Sequence, residues 1–251
     1  MELSEPEFRS WDEEIARVES QKMAVYAAMV DRLDQNVGKL IRYLKANDEF
    51  DNTLIFFLSD NGATAENVDR SPGADIGTST SFISYGQNWA NVSNTPFRKF
   101  KSQEFEGGIA TPLIVHWPAG IRSEGRKIRD IVHIMDIMPT CLEVAGVNYP
   151  QEFENRTLLT LNGISISPIF KDESMEDDRL LFWEHMGNKA VRSKDLKLVK
   201  LRTGPWELYD LDNDPTELYD LSSTRQDLTD SLELSWNQWA ADNEVFEWPL
   251  D

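Results

Sequence analysis

The chain has 251 residues, with 25 Lys and Arg against 44 Asp and Glu, giving a formal net charge of −19 and a pI near 4.5. That balance argues against non-specific nucleic-acid binding, and a single cysteine, Cys141, excludes an intrachain disulfide framework or a cysteine-based metal cluster. No stretch is apolar enough to span a bilayer, while 40% hydrophobic and 10% aromatic residues supply a core for one large domain, or one large and one small.

Residues 1–20 are polar and acidic, with Trp11 as the largest apolar anchor. Met1-Glu2-Leu3-Ser4-Glu5-Pro6 lacks the charged-then-apolar pattern of a leader, so the chain reads as beginning within a domain. From about Met23, apolar residues recur at spacings of three and four: Tyr26, Met29, Val30, Leu33, Val37, Leu40, Ile41 and Leu44. This period predicts a helix with one buried face, ending at Asn47-Asp48. Thr53–Leu58 carries no charge and suits a buried pleated surface, so it predicts an interior strand. It ends abruptly in Ser59-Asp60-Asn61-Gly62. Asp-Asn-Gly is by itself a turn signal, or a ligand site at the carboxyl end of a strand in an open α/β sheet.

Residues 62–95 show no period and form a long loop with Tyr85 and Trp89 embedded, the kind of segment that is usually functional or disordered. The most basic stretch of this acidic chain follows, Arg98-Lys99-Phe100-Lys101, and then Glu106-Gly107-Gly108. Pro112-Leu113-Ile114-Val115-His116-Trp117-Pro118 predicts a second buried strand, closed by prolines at both ends. Pro139 opens a short helix that Gly146 closes, with Cys141 inside it as a core residue. From about Asn148 the character changes. Strands are predicted at 180–184, 189–192, 196–201 and 206–211, with a turn at Asp212-Asn213-Asp214-Pro215. A closing helix over 224–242 has Leu228, Leu232, Leu234, Trp236 and Trp239 as its apolar positions. Glu-Leu-Tyr-Asp-Leu occurs at 207–211 and again at 217–221, too few copies for a repeat architecture.

The order of these pieces resembles the C-terminal half of type I sulfatases, the arylsulfatase family of the alkaline phosphatase superfamily. The shared pieces are Tyr26–Val30 with Leu33-Asp34 and Val37-Gly38, Ser59-Asp60-Asn61-Gly62, and Lys101 with Phe105-Glu106-Gly107-Gly108. Asp136 with Pro139-Thr140, Val191-Arg192 with Lys197-Leu198, and Glu207–Leu211 with Asp214-Pro215 complete them. Each is weak alone, and their common order makes the match specific. The resemblance implies an α/β fold. Residues 1–150 would be the C-terminal part of an alkaline-phosphatase-like α/β sandwich, and residues 151–251 a small subdomain of antiparallel sheet plus helix.

The resemblance further implies that Asp60 and Asn61 are ligands of a Ca²⁺ ion, with Mg²⁺ possible; a carboxylate and an amide oxygen are hard donors that suit either. Superfamily phosphatases usually carry His after the corresponding Asp to hold a second zinc, and an amide is a poor zinc ligand. Lys101 is implied to contact the sulfate and to stabilise charge on the leaving side. His185, after a strand end in Trp183-Glu184-His185, is a second candidate for touching substrate. His116 reads as a satisfied core or rim histidine and His133 as hydrogen-bonded structure.

The family nucleophile is a formylglycine made from Cys or Ser in a Cys/Ser-x-Pro/Ala-x-Arg pentad, and no such pentad occurs here. It is expected in an amino-terminal half that would also bring further metal ligands. Ca²⁺ takes about six to eight oxygens, so two are too few, and the 251 residues alone are expected to bind the ion weakly and to be inactive. The implied substrate is an aryl or carbohydrate sulfate ester, and the implied location is periplasmic or secreted. Alternatives are a phosphodiesterase or phosphonate monoester hydrolase of the same superfamily, or a non-catalytic module that binds sulfated glycans.

Overall fold

The computed structural model describes residues 12–175 and 178–249; Trp11 lies outside them. The chain is mixed α/β and divides into two units interleaved in sequence. One comprises Met1–Ile41, Asn61–Pro112 and Arg179–Asp251; the other comprises Arg42–Asp60 and Leu113–Asp178.

Helix α1 runs from Glu13 to Ala46, starting ten residues before the apolar period does. Asp12 accounts for the early start: its Oδ1 accepts from Ile15 N at 2.8 Å, and Glu13 and Glu14 face the positive helix end. The expected buried face of α1 is corrected: Met29, Val30, Leu33 and Leu40 are exposed, and Leu44 alone among its residues is buried. Periodicity reports that a helix is amphipathic, and says nothing of what covers it.

In the unit containing residues 42–60 and 113–178, β1 (Ile55–Leu58) pairs antiparallel with β2 (Leu113–His116). Among the described residues these two strands form a sheet of their own, with Phe57 and Ile114 exposed, so β1 is not the interior strand its composition predicts. Helix α4 (Ile137–Val144) follows a turn built on Asp136, which is fully buried. The Asp136 carboxylate accepts from His133 N at 2.8 Å and from Ile164 N at 2.9 Å. Thr140 Oγ1 donates to Asp136 O at 2.6 Å and accepts from Ile166 N at 3.0 Å. The Asp136…Thr140 motif is therefore a fully satisfied structural turn, and His133 belongs to it, its Nδ1 accepting from Met135 N at 3.2 Å. Cys141 is exposed, not core, because the buried side of this short helix is the one that carries Thr140.

The unit that holds Asn61–Pro112 is built around an antiparallel meander: β5 (Leu180–His185), β6 (Asn188–Ser193), β7 (Leu196–Lys200) and β8 (Trp206–Asp210). Strand alternation sends Val191, Leu198 and Leu208 to one face, where Leu232, Trp236 and Ala240 of the closing helix cover them. That helix, α6, spans Gln226–Asp242, and Trp236 Nε1 donates to Trp183 O at 3.0 Å. Leu234 points away and is exposed, so it is not part of the apolar stripe. The opposite face presents Ala190, Val199 and Tyr209, and here Phe105 is buried completely. The sheet therefore has two covers: a helix, and the segment that carries Lys101 and Glu106-Gly107-Gly108.

The two Glu-Leu-Tyr-Asp-Leu copies have different fates. Leu208 and Tyr209 are core residues of β8, while Leu218 and Tyr219 are exposed. The second copy lies beside the first, with Leu208 N donating to Asp220 Oδ1 at 3.0 Å and Leu221 N to Leu208 O at 2.8 Å. Asp214 closes the turn between them, its Oδ2 accepting from Leu218 N and Tyr219 N at 2.8 Å each.

Candidate active site

Three glycines lock the residues after β1 to the segment that carries Lys101. Gly62 N donates to Gly108 O at 2.8 Å. A Cβ on Gly62 would lie 1.8 Å from Gly107 O, and one on Gly107 would lie 2.2 Å from Arg98 O. A Cβ on Gly108 would lie 1.8 Å from Gln103 O. Backbone meets backbone at every one of these points, which only glycine permits. Ala63 and Lys101 join the same layer, Lys101 N donating to Ala63 O at 2.9 Å.

Asn94, at the end of α2 (Gly86–Asn94), ties the layer from the side. Its Oδ1 accepts from Ala63 N at 2.8 Å and its Nδ2 donates to Lys99 O at 2.9 Å. Lys101 itself is exposed and sits between Lys99 and Ser102, both with positive φ, at 66° and 73°. Left-handed conformations cost a non-glycine residue about 1–2 kcal/mol each, so the surrounding bonds hold this segment in a shape it would not choose.

The structure brings Asn61, Lys101 and the turn that follows His185 into one layer. Asn61 is half-buried and its Nδ2 donates to Gly62 O at 2.8 Å. Asp60, the preceding residue, is exposed. His185 is exposed at the end of β5, opposite Asn188 in the ladder. Asn188 Nδ2 donates to Ser102 O at 2.6 Å, so the β5–β6 turn is bonded directly to the neighbour of Lys101. His116 lies apart, in β2, tilted against Phe50 with the ring centroids 4.6 Å apart; its Nε2 is buried and has no hydrogen-bond partner, contrary to the expectation of a satisfied histidine.

As a metal centre, Asp60 and Asn61 fit in kind and not in number. Both offer hard oxygen donors suited to Ca²⁺ or Mg²⁺. Among the described residues no group of three or more His, Cys, Asp or Glu is arranged to hold a metal ion.

Glu104 was not expected. It lies three residues after Lys101, is buried, and its Oε2 has no hydrogen-bond partner. Burial pushes its carboxyl up to about 7; Lys197 opposes the rise and Glu184 adds to it. The folded state therefore holds this proton more tightly than the unfolded chain, in which the group titrates near 4.5. Stability is greatest at low pH in respect of this group, falls as pH rises from about 4.5 through 7, and is level above that. Glu104→Gln is expected to abolish that slope and to raise stability at pH 8 by up to ~3 kcal/mol. Urea unfolding at pH 5 and pH 8 checks it; an unchanged slope in the variant would contradict the assignment.

The Sulfatase family model matches residues 4–147, and that for "N-sulphoglucosamine sulphohydrolase, C-terminal" matches residues 100–239. The chain belongs to the sulfatase family. It is 34% identical to an uncharacterized sulfatase of Schizosaccharomyces pombe, over 97% of this chain and 48% of that one. It is also 34% identical to the arylsulfatase of Klebsiella aerogenes, over 59% of this chain and 34% of that enzyme. The solved structure of Ps i-CgsB superposes with a TM-score of 0.69 at 27% identity, covering 96% of this chain and 49% of that one. The same protein has been solved in complex with k-i-k-neocarrahexaose. The chain thus spans about half the length, or less, of these relatives.

Proposed function

We propose that this chain supplies the lysine and part of the metal-binding shell of a sulfatase active site that hydrolyses sulfate esters of carbohydrates. The observation that carries the reading is the glycine-locked layer: it fixes the residue after Asp60-Asn61 against the segment that presents Lys101. Asp60 and Asn61 would hold Ca²⁺ or Mg²⁺ together with donors from outside the chain. Bound there, the ion would neutralise charge on the sulfate oxygens. Lys101 places a mobile ammonium on a rigid backbone, suited to hold a sulfate oxygen and to meet charge developing toward the leaving oxygen. His185, on the turn bonded to Ser102, would contact the alcohol part of the substrate.

A carbohydrate sulfate is favoured over an aryl sulfate by the match over 100–239 to a sulphohydrolase of N-sulphoglucosamine. The formylglycine expected from the family would come from residues outside this chain. The experiment is a comparison of turnover by the full-length protein on a sulfated monosaccharide, an aryl sulfate and an aryl phosphonate. Release of sulfate with kcat/KM highest on the sugar is expected. Turnover of the phosphonate alone, or glycan binding without hydrolysis, would overturn the reading.

A further inference from the structure

We propose that Lys197, Glu217 and Glu106 form a buried charge clamp that positions Lys101. The inference rests on the role given to Lys101 above, and goes beyond it by assigning work to three residues that cannot reach substrate. Lys197 and Glu217 are fully buried and Glu106 nearly so.

The clamp has a simple origin in the sheet. Arg192 on β6 lies opposite Lys197 on β7, and Lys197 lies opposite Tyr209 on β8. The three form one row on the face that Phe105 covers. Lys197 Nζ reaches Glu106 Oε1 at 2.7 Å and Glu217 Oε1 at 2.9 Å. Glu217 Oε2 accepts from Glu106 N at 2.7 Å, and Arg192 stands 3.7 Å from Glu106 Oε2. The Arg98 guanidinium donates to Glu217 O and, at 3.3 Å, to the Tyr209 hydroxyl, whose own proton goes to Glu207. Both ends of the lysine segment are thus held: Arg98 at its start and Glu106 at its finish. Between them, Gly107 N donates to Arg98 O at 2.8 Å, closing the loop on itself.

One buried cation facing two buried carboxylates costs desolvation that few folds would retain for stability alone. Burial pushes the Glu217 carboxyl up even against Lys197. What the cluster gives in return is geometry. It anchors the loop whose two left-handed residues, Lys99 and Ser102, flank Lys101. Lys197, Glu217 and Glu106 are positioning residues, acting through the backbone of 98–108.

The first arm of the test is amide exchange on the full-length protein, comparing the parent with Lys197→Met, Glu217→Gln and the double variant. In Lys197→Met, two buried carboxylates face each other without their cation. Exchange across 98–108 is expected to accelerate about tenfold or more, while β5–β8 and α6 keep their protection. The double variant removes one of the stranded charges and is expected to regain most of the protection. Glu217→Gln keeps an acceptor for Glu106 N and gives a smaller effect of the same pattern, which serves if Lys197→Met does not fold. Unchanged exchange over 98–108, or equal acceleration everywhere, overturns the clamp.

The second arm is a cycle in the full-length protein. If Lys197 acts through Lys101, Lys197→Met lowers kcat in the parent but adds nothing once Lys101 is alanine. Additive losses would show a general structural role. Absence of sulfate-ester turnover in the parent protein would remove the functional reading and leave the exchange result standing as the test of the clamp.

Discussion

Replacing Lys101 with alanine in the full-length protein is expected to lower kcat on a sulfate ester by about 10²–10³, the usual loss when one preorganised electrostatic group is removed. Stability should stay within about 0.5 kcal/mol of the parent, because the side chain is exposed. The contrast matters, since the backbone around Lys101 is held by bonds that do not involve its ammonium: Lys101 N to Ala63 O, Asn94 to Lys99 O, and Asn188 to Ser102 O. The alanine variant should keep that frame and lose only the charge. Lys101→Arg is expected to recover little, as a planar guanidinium fork does not replace a compact ammonium point charge. Steady-state kinetics paired with urea unfolding reads both quantities. Equal kcat in parent and alanine variant would return Lys101 to a solvated basic loop.

The second large effect is steric. Gly62→Ala puts a methyl group 1.8 Å from Gly107 O, with Gly107 C at 2.8 Å and Gly108 Cα at 3.2 Å. All three atoms are backbone, so no side chain can step aside. Overpacking of this kind costs about 1–3 kcal/mol where neighbours give way, and here the neighbour is itself fixed by Gly107 N to Arg98 O and Gly108 N to Phe105 O. A loss of about 3 kcal/mol or more is expected, with the Lys101 segment displaced. Gly73→Ala is the control. It has nothing within 4 Å and a φ of +84°, so only the conformational cost of about 1–2 kcal/mol applies. Chemical denaturation of both variants checks the difference; equal midpoints would mean that the glycine contacts are loose.

Much of the frame was legible in the sequence because local rules decide it. Strand alternation and turn residues predict the β5–β8 meander, and the leucine and tryptophan spacing predicts α6. Leu234 fell off the stripe because it lies two residues from both Leu232 and Trp236, about 200° round the helix and so on the opposite face. The α1 face failed differently: Tyr26 to Leu40 shows the period of a packed helix, yet Tyr26, Met29, Val30, Leu33 and Leu40 are exposed. Packing partners are not written into a helix's own sequence.

The candidate site was legible only as an order of short motifs. Asp60-Asn61, Lys101 and Glu106-Gly107-Gly108 stand out by residue type. Asn94, Asn188, Lys197 and Glu217 do not, since each looks like an ordinary polar residue of a helix end, a hairpin or a loop. Lys197 sits at a position of β7 where a surface lysine would be the default expectation. Contacts across more than ninety residues, such as Lys197 to Glu106 and Arg98 to Glu217, are set by tertiary pairing. Glu104 carried no signal either, because its raised carboxyl comes chiefly from burial, with Glu184 adding to it and Lys197 opposing it.

The central claim is that these 251 residues hold the lysine and only part of the metal shell of a sulfatase site. The most direct measurement is sulfate release from a sulfated sugar, in the presence of Ca²⁺, by the full-length protein and by the 251-residue chain side by side. The account predicts turnover by the first and none by the second. Turnover by the isolated chain, or none by the full-length protein, would contradict it.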